Sequence, residues 1–326
     1  MTQASASRTA QHVPVLVDTV VEFLAPALAR PGAVLVDGTL GLGGHAGALL
    51  AAAPQAMLVG IDRDQAALDT ARERLRPWGD RVVTVRARFD ELESVLDDLS
   101  LPRIDAVLLD LGLSSLQIDE VARGFAYAVD APLDMRMDDR QTLTAATVVN
   151  TYGASELASL FRRYGEEPHA ARLAAAIVAH RAQAPFESSG QLVAVLRDAL
   201  PAAARYGSGR GHPAKRVFQA LRIEVNQELE ALRAVVPAAL ARLAPGGRMA
   251  VLSYQSLEDR IVKQAFAAAT RDQAPRHLPS VPVSLRARFA SLTRGAVVPG
   301  EAEIAANPRA ASARLRAVVR LQEVEP

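Results

Sequence analysis

The sequence predicts an α/β protein: an open, mostly parallel sheet flanked by helices, with an inserted, mainly helical domain between strands four and five. Three observations predict it. Short apolar runs alternate with helical patterns as far as Gly112, as βαβ units require. The first run, Ala33 to Val36, breaks into a glycine-rich loop, Asp37-Gly-Thr-Leu-Gly41-Leu-Gly43-Gly44-His45. Finally, 136 positions separate Gly112 from Arg248, where the next strand begins, although a crossover unit of this kind needs only about 30 residues.

The elements follow in order. His12 to Leu28 is a lead-in helix with Val17, Val20, Val21, Leu24 and Leu28 at helical spacing. Ala33 to Val36 is too short and too β-branched for a helix and reads as the first strand, with Ala46 to Ala53 as the helix after its loop. Met57 to Ile61 is the second strand, ending in Asp62-Arg63-Asp64. Asp64 is better placed than Asp62 to cap the helix Gln65 to Arg74. Arg81 to Ala87 is the third strand, followed by Arg88-Phe89-Asp90 with Asp90 starting a helix. Ile104 to Gly112 is the fourth, apolar through its middle as a central parallel strand should be. The insertion carries helical patterns at Ser155 to Tyr164, Pro168 to Arg181 and Ser189 to Leu200, and closes with the polar glycine stretch Tyr206 to Gly211. One long helix is expected from Pro213 to about Val235, burying Val217, Leu221, Val225, Leu229 and Leu232. After the turn Ala244-Pro-Gly-Gly247 come the fifth strand, Arg248 to Ser253, and a terminal antiparallel pair, Phe289 to Val298 with Arg314 to Val324, joined by a loop or short helix.

The ligand loop lies where such sheets bind their ligands, outside the carboxyl ends of the strands. Gly41-x-Gly43-x-x-Ala46 satisfies the dinucleotide fingerprint, so a nicotinamide or flavin site is one reading. Asp37 favours another. An acid here suits the ammonium of S-adenosylmethionine, which has no phosphate, and would repel a pyrophosphate. Asp62, about 20 residues past the loop, stands where an acid grips ribose hydroxyls. Phe89 stands where an aromatic frames an adenine, and Asp110 emerges beside the loop.

Composition narrows the classes. There are no cysteines among 326 residues, which excludes a disulfide framework, a thiolate nucleophile and a cysteine-based zinc site. The six histidines are scattered, and no metal site is expected. Met1 to Gln11 has no apolar core, and no run approaches the ~18 residues of a membrane span, so a cytoplasmic protein without membrane association is expected. The net charge of +1 conceals a basic second half. Arg205, Arg210, Lys215, Arg216 and Arg222 occur without an acid between Arg205 and Ile223. Arginine suits phosphate, and the clustering points to a nucleic-acid footprint.

Six strings, in this order, resemble the bacterial MraW/RsmH family. They are Asp37 to His45, Asp110-Leu-Gly-Leu-Ser-Ser-Leu-Gln117, Pro132-Leu-Asp-Met-Arg-Met-Asp138, His212-Pro-Ala-Lys-Arg-Val-Phe-Gln219, Ser256-Leu-Glu-Asp-Arg260 and Asn307-Pro-Arg-Ala310. The resemblance runs from about His12 to Leu321. It implies a Rossmann-like class I S-adenosylmethionine-dependent methyltransferase sheet, methylating the exocyclic N4 of a cytidine in the decoding region of 16S rRNA within the small ribosomal subunit. The implied organisation is a flexible N-terminus (1–11), a methyltransferase domain (12–115 and 212–326) and a helical substrate-recognition domain (116–211).

By the same resemblance, the cofactor contacts are Gly43, Gly44, His45, Asp62, Phe89, Asp110 and Gln117. Some flanking positions differ: Ala46 stands for Ser, Leu116 for Pro, and Tyr254-Gln255 for Phe-His. Many amino-methyltransferases end strand four with a D-P-P-Y type string. Asp110-Leu-Gly-Leu113 keeps only its acid, making Asp110 the candidate to accept a hydrogen bond from the target amine. Asp134, Arg136, Lys215 and Arg216 are candidates for the RNA side of the cleft. Other readings are a methyltransferase for another RNA or a small molecule, an NAD-type dehydrogenase, and a non-catalytic RNA-binding protein.

Overall fold

The computed structural model describes residues 14–112, 123–125, 127, 129–201, 214–275 and 281–322. The expected 1–11 tail, Gln117 and the Tyr206 to Gly211 stretch lie outside them. The described residues form a seven-stranded sheet ordered β3-β2-β1-β4-β5-β7-β6. Its strands are β1 (Val34–Asp37), β2 (Met57–Asp62), β3 (Val82–Arg86), β4 (Ile104–Asp110), β5 (Leu243–Ser253), β6 (Phe289–Ser291) and β7 (Arg314–Arg320). The first five are parallel neighbours, and β7 runs antiparallel to both β5 and β6. The order reverses at β1, between β2 and β4, which opens a crevice above the glycine loop.

Helices cover both faces. α1 (Val17–Leu24), α2 (Gly44–Ala52) and α3 (Gln65–Leu75) bury Leu24, Leu49, Leu50 and Leu68 against one face. Asp64 caps α3 by accepting from the Ala66 N–H at 3.1 Å. α4 (Leu92–Asp98) lies on the other face, entered by a 3-10 turn over Phe89–Glu91 in which Asp90 pairs with Arg88. The turn before the fifth strand is a bulge. Ile104 pairs with Leu243 and Ala106 with Arg248, so residues 244–247 loop out opposite a single residue.

Four helices of the insertion are described: α5 (Ala145–Thr151), α6 (Ala154–Gly165), α7 (Ala170–Arg181) and α8 (Ser189–Ala199). α5 was not expected. The long helix is two: α9 (Lys215–Asn226) and α10 (Glu228–Arg242) meet at Gln227, whose φ of 51° is left-handed. The two cores divide one turn beyond the break. Val217, Leu221, Val225 and Leu229 join the core of the helical insertion, whereas Leu232, Val235 and Val236 join that of the sheet. α11 (Ser256–Ala269) follows β5, and α12 (Glu301–Ala306) with a 3-10 turn over Pro308–Ser312 fills the link to β7.

Candidate active site

A cleft of about 770 Å³ lies above the carboxyl ends of the central strands, between the glycine loop and the helical insertion. Gly44, His45, Asp62, Phe89, Asp110, Lys215 and Arg216 line it.

The loop after β1 is held by backbone hydrogen bonds, two of them to the neighbouring strands. Gly38 donates to the Leu108 carbonyl at 3.0 Å, Leu40 to Ile61 at 3.0 Å, and Gly43 to Leu40 at 2.8 Å. Gly43 has φ +73°, which an L side chain adopts only with strain, and a Cβ there would stand 3.1 Å from Leu75. A Cβ on Gly44 would stand 2.5 Å from the Pro14 ring. Both glycines thus admit neighbouring protein, Gly43 admitting α3 and Gly44 the N-terminal segment. Of the two, Gly44 reaches the cleft wall.

Asp62 closes the other side of the loop. Its Oδ2 accepts from the Gly41 N–H at 2.8 Å and its Oδ1 from the Asp64 N–H at 2.9 Å. Burial outweighs these donors and raises its carboxyl above the usual carboxylate range. An under-compensated carboxylate on a cleft wall fits a ligand that offers hydroxyl donors, as a ribose does. Phe89 is 8% exposed, and the Arg63 guanidinium lies 6.0 Å from its ring centroid.

Two acids from neighbouring strand ends separate in role. Asp37, expected to face a cofactor ammonium, is 2% exposed and accepts from the Thr39 N–H at 3.2 Å. Burial raises its carboxyl to about 7. It lies beneath the cleft surface, and the acid that lines the cleft is Asp110. Asp110 N–H donates to Thr39 Oγ1 at 2.6 Å, its Oδ1 accepts from the Tyr254 hydroxyl at 2.9 Å, and its Oδ2 lies 3.4 Å from His45 Nδ1. His45 Nε2 is 2.9 Å from the Val15 carbonyl oxygen. Burial disfavours the imidazolium, but Asp110 and the Val15 carbonyl outweigh it and raise His45 above its ordinary value. Tyr254 is a site residue that sequence reasoning registered only as a departure from a pattern.

On the insertion side the expected residues divide. Lys215 is exposed and Arg216 half-buried at the start of α9, and both line the cleft. Asp134 and Arg136 do not. They pair with each other, Nε to Oδ1 and Nη2 to Oδ2 at 2.8 Å each, and Arg136 Nη1 donates to the Gln141 carbonyl at 2.8 Å. Met135 and Met137, at 0% and 3% exposure, instead lie just under the cleft wall, Met135 with a left-handed φ of 59°. Alternation along the string is a signal for this: neighbours of two outward charges turn inward.

Behind the methionines stands Asn226, fully buried. Its Oδ1 accepts from Met137 N–H at 2.9 Å, and its Nδ2 donates to the carbonyls of Met135 at 2.8 Å and Arg222 at 2.9 Å. Arg63 Nη1 donates to its backbone carbonyl at 3.1 Å. Arg222 forms a two-pronged pair with Glu228 across Gln227, at 2.8 and 2.9 Å. Glu258 accepts from the N–H groups of Tyr254 at 2.9 Å and Gln255 at 3.0 Å, with burial raising its carboxyl to about 7. Among the described residues, no group of three or more His, Cys, Asp or Glu side chains is arranged to hold a metal ion, and no helix is long and apolar enough to cross a membrane.

The chain matches the family model described as the MraW methylase family over residues 9–321. It is 56% identical over 321 residues to the ribosomal RNA small subunit methyltransferase H of Thermobifida fusca, covering 98% of this chain and 97% of that one. The protein of the same name from Saccharopolyspora erythraea is 57% identical over 321 residues, with the same coverage. That of Streptomyces avermitilis is 56% identical over 313 residues, covering 96% and 98%.

Proposed function

The chain belongs to the MraW methylase family, and from that premise we propose that it methylates the exocyclic N4 of a cytidine in the decoding region of 16S rRNA, using S-adenosylmethionine. The substrate is the RNA within the small ribosomal subunit, the protein is cytoplasmic, and the reaction needs no metal. The observation that carries the reading is Asp110. It ends the central strand, lines the cleft and meets the Tyr254 hydroxyl on one oxygen and His45 on the other.

Asp62 takes the ribose hydroxyls, Phe89 packs on the adenine, and Gly44, His45, Asp110 and Gln117 hold the remainder of the cofactor, with Gly43 setting the turn of the loop behind them. When bound, the cofactor supplies a sulfonium methyl to the target amine. A cytosine amine is a weak nucleophile because its lone pair is delocalised into the ring, so positioning matters most and is worth ~7 kcal/mol or more. Asp110 accepts a hydrogen bond from N4, orienting the amine and receiving the charge that develops on it. The base must leave its stack to reach this depth. The described helices of the insertion together with α9 form the wall that receives it, where Met135 and Met137 underlie the surface and Lys215 and Arg216 meet phosphates. Asp134 and Arg136 shape that wall from behind.

The test is methyl transfer from labelled S-adenosylmethionine to 30S subunits and to free 16S RNA, both from a strain lacking this protein, followed by nucleoside analysis. The expected product is N4-methylated cytidine at one site, formed faster on the subunit. Label in another nucleoside, or only in other RNA or small molecules, would refute the reading.

A further inference from the structure

We propose that Tyr254 is the positioning residue of the site: its hydroxyl fixes the rotation of the Asp110 carboxylate, and the contact of Asp110 with His45 depends on it. The inference rests on the reading of Asp110 given above.

The two partners of Asp110 are unequal. The Tyr254 hydroxyl sits at 2.9 Å from Oδ1, an ordinary hydrogen-bond distance. His45 Nδ1 is 3.4 Å from Oδ2, too long to set a torsion by itself. The tyrosine is held independently of the acid. Its ring packs against the core beneath the first face of the sheet, and its backbone N–H is bonded to Glu258 at 2.9 Å. Burial, with the Asp110 carboxylate beside it, pushes the phenol well above its ordinary value, so it remains a donor. His45 is also fixed from behind, by the Val15 carbonyl. Asp110 is therefore the adjustable member between two fixed ones, and the shorter bond decides where its oxygens point. A phenylalanine would keep the ring and lose the hold on Asp110.

The experiment compares Tyr254→Phe with the parent protein by titrating the ¹⁵N imidazole signals of His45, identified by their loss in His45→Gln. Asp110→Asn serves as the reference for a lost carboxylate. The charged groups facing this pair are Asp37 from β1, with Glu258 and Glu303 around the phenol, and none changes in the variant. If Asp110 rotates away, the His45 midpoint falls from its raised position toward that of Asp110→Asn. Turnover on 30S subunits falls about 10-fold or more, as loss of a hydrogen bond to a charged group predicts, and the melting temperature falls by a few degrees. A His45 midpoint equal to the parent's overturns the proposal whatever happens to turnover. The titration needs no substrate, so a parent enzyme that methylates nothing would refute the assigned reaction and leave this result standing.

Discussion

Replacing Asn226 by alanine should unlock the helical insertion from the sheet. The side chain is fully buried, and its amide serves Met137 N–H, the Met135 carbonyl and the Arg222 carbonyl. The Arg222 carbonyl lies one turn back on α9 and keeps its helical partner. The other two groups belong to an irregular loop and would be orphaned. A buried polar group left without a partner costs ~1–3 kcal/mol, so the variant should lose about 4 kcal/mol. That is a large fraction of the ~5–15 kcal/mol that holds a typical domain together. Urea denaturation of Asn226→Ala, followed by circular dichroism and by the fluorescence of Trp78, would measure it. A companion substitution sharpens the test. Asn226→Asp keeps the acceptor for Met137 but loses both donors and buries a carboxylate, whose protonation is favoured by burial. It should be less stable than Asn226→Ala at pH 8 and recover part of the deficit at pH 5, where a protonated carboxyl again donates. A loss below about 1 kcal/mol in Asn226→Ala would show that water or a loop shift satisfies the two groups, and would refute the assignment of the amide as the joint.

Other predictions concern the cleft and its supports. Asp37 has a folded-state value of about 7 against an ordinary 3.8, so the folded state favours its protonated form. Its contribution is unfavourable above pH 4 and grows until pH 7, reaching up to about 4 kcal/mol. Asp37→Asn should therefore be more stable than the parent at pH 8 by thermal melting and equal to it near pH 4; a less stable variant at pH 8 would contradict the sign. Gly44→Ala should displace the Pro14 segment and with it the Val15 carbonyl from His45. Calorimetry should show at least 10-fold weaker S-adenosylmethionine binding, and unchanged affinity would separate the segment from the cofactor site. Lys215→Ala and Arg216→Ala should each reduce the slope of log K against log salt for RNA binding by about 1 while leaving cofactor affinity alone. Slopes equal to the parent's would remove these residues from the phosphate contacts.

β1, β2 and β4 were legible because each is an apolar run stopped by an acid, and the cap at Asp64 because its side chain needs only local partners. Tertiary partners hid the rest. The stripe from Val217 to Leu232 runs without glycine or proline across the break at Gln227, where Gln227 is held left-handed between the Arg222–Glu228 pair and the buried Asn226 amide. Pro237 lies inside α10, which runs on to Arg242 past the expected end near Val235. α5 escaped because Ala-Ala-Thr-Val-Val-Asn-Thr is half β-branched, and packing overrides weak propensity there. Asp37 and Asp110 each end a strand, and only the depth of each strand end tells which meets the cleft. Asp134 and Arg136 carried the charges that suggest a ligand, but two residues apart in a tight loop they satisfy each other.

The string Asp62-Arg63-Asp64 explains how the two bodies keep a fixed separation. Three consecutive residues face three different partners. Asp62 holds the glycine loop through Gly41. Arg63 donates to the carbonyl of Asn226 at the end of α9. Asp64 caps α3 and pairs with Arg123, which in turn donates to the carbonyls of Arg136 and Met137 at 3.1 Å each. The glycine loop and the loop that carries Met135 and Met137 are thus tied to one three-residue turn. In-line transfer tolerates little error in the approach of its two partners. A turn that grips both sides sets that approach through the backbone, and this is why residues with no contact to the reacting atoms, Asn226 and Arg123 among them, should affect rate as strongly as those lining the cleft.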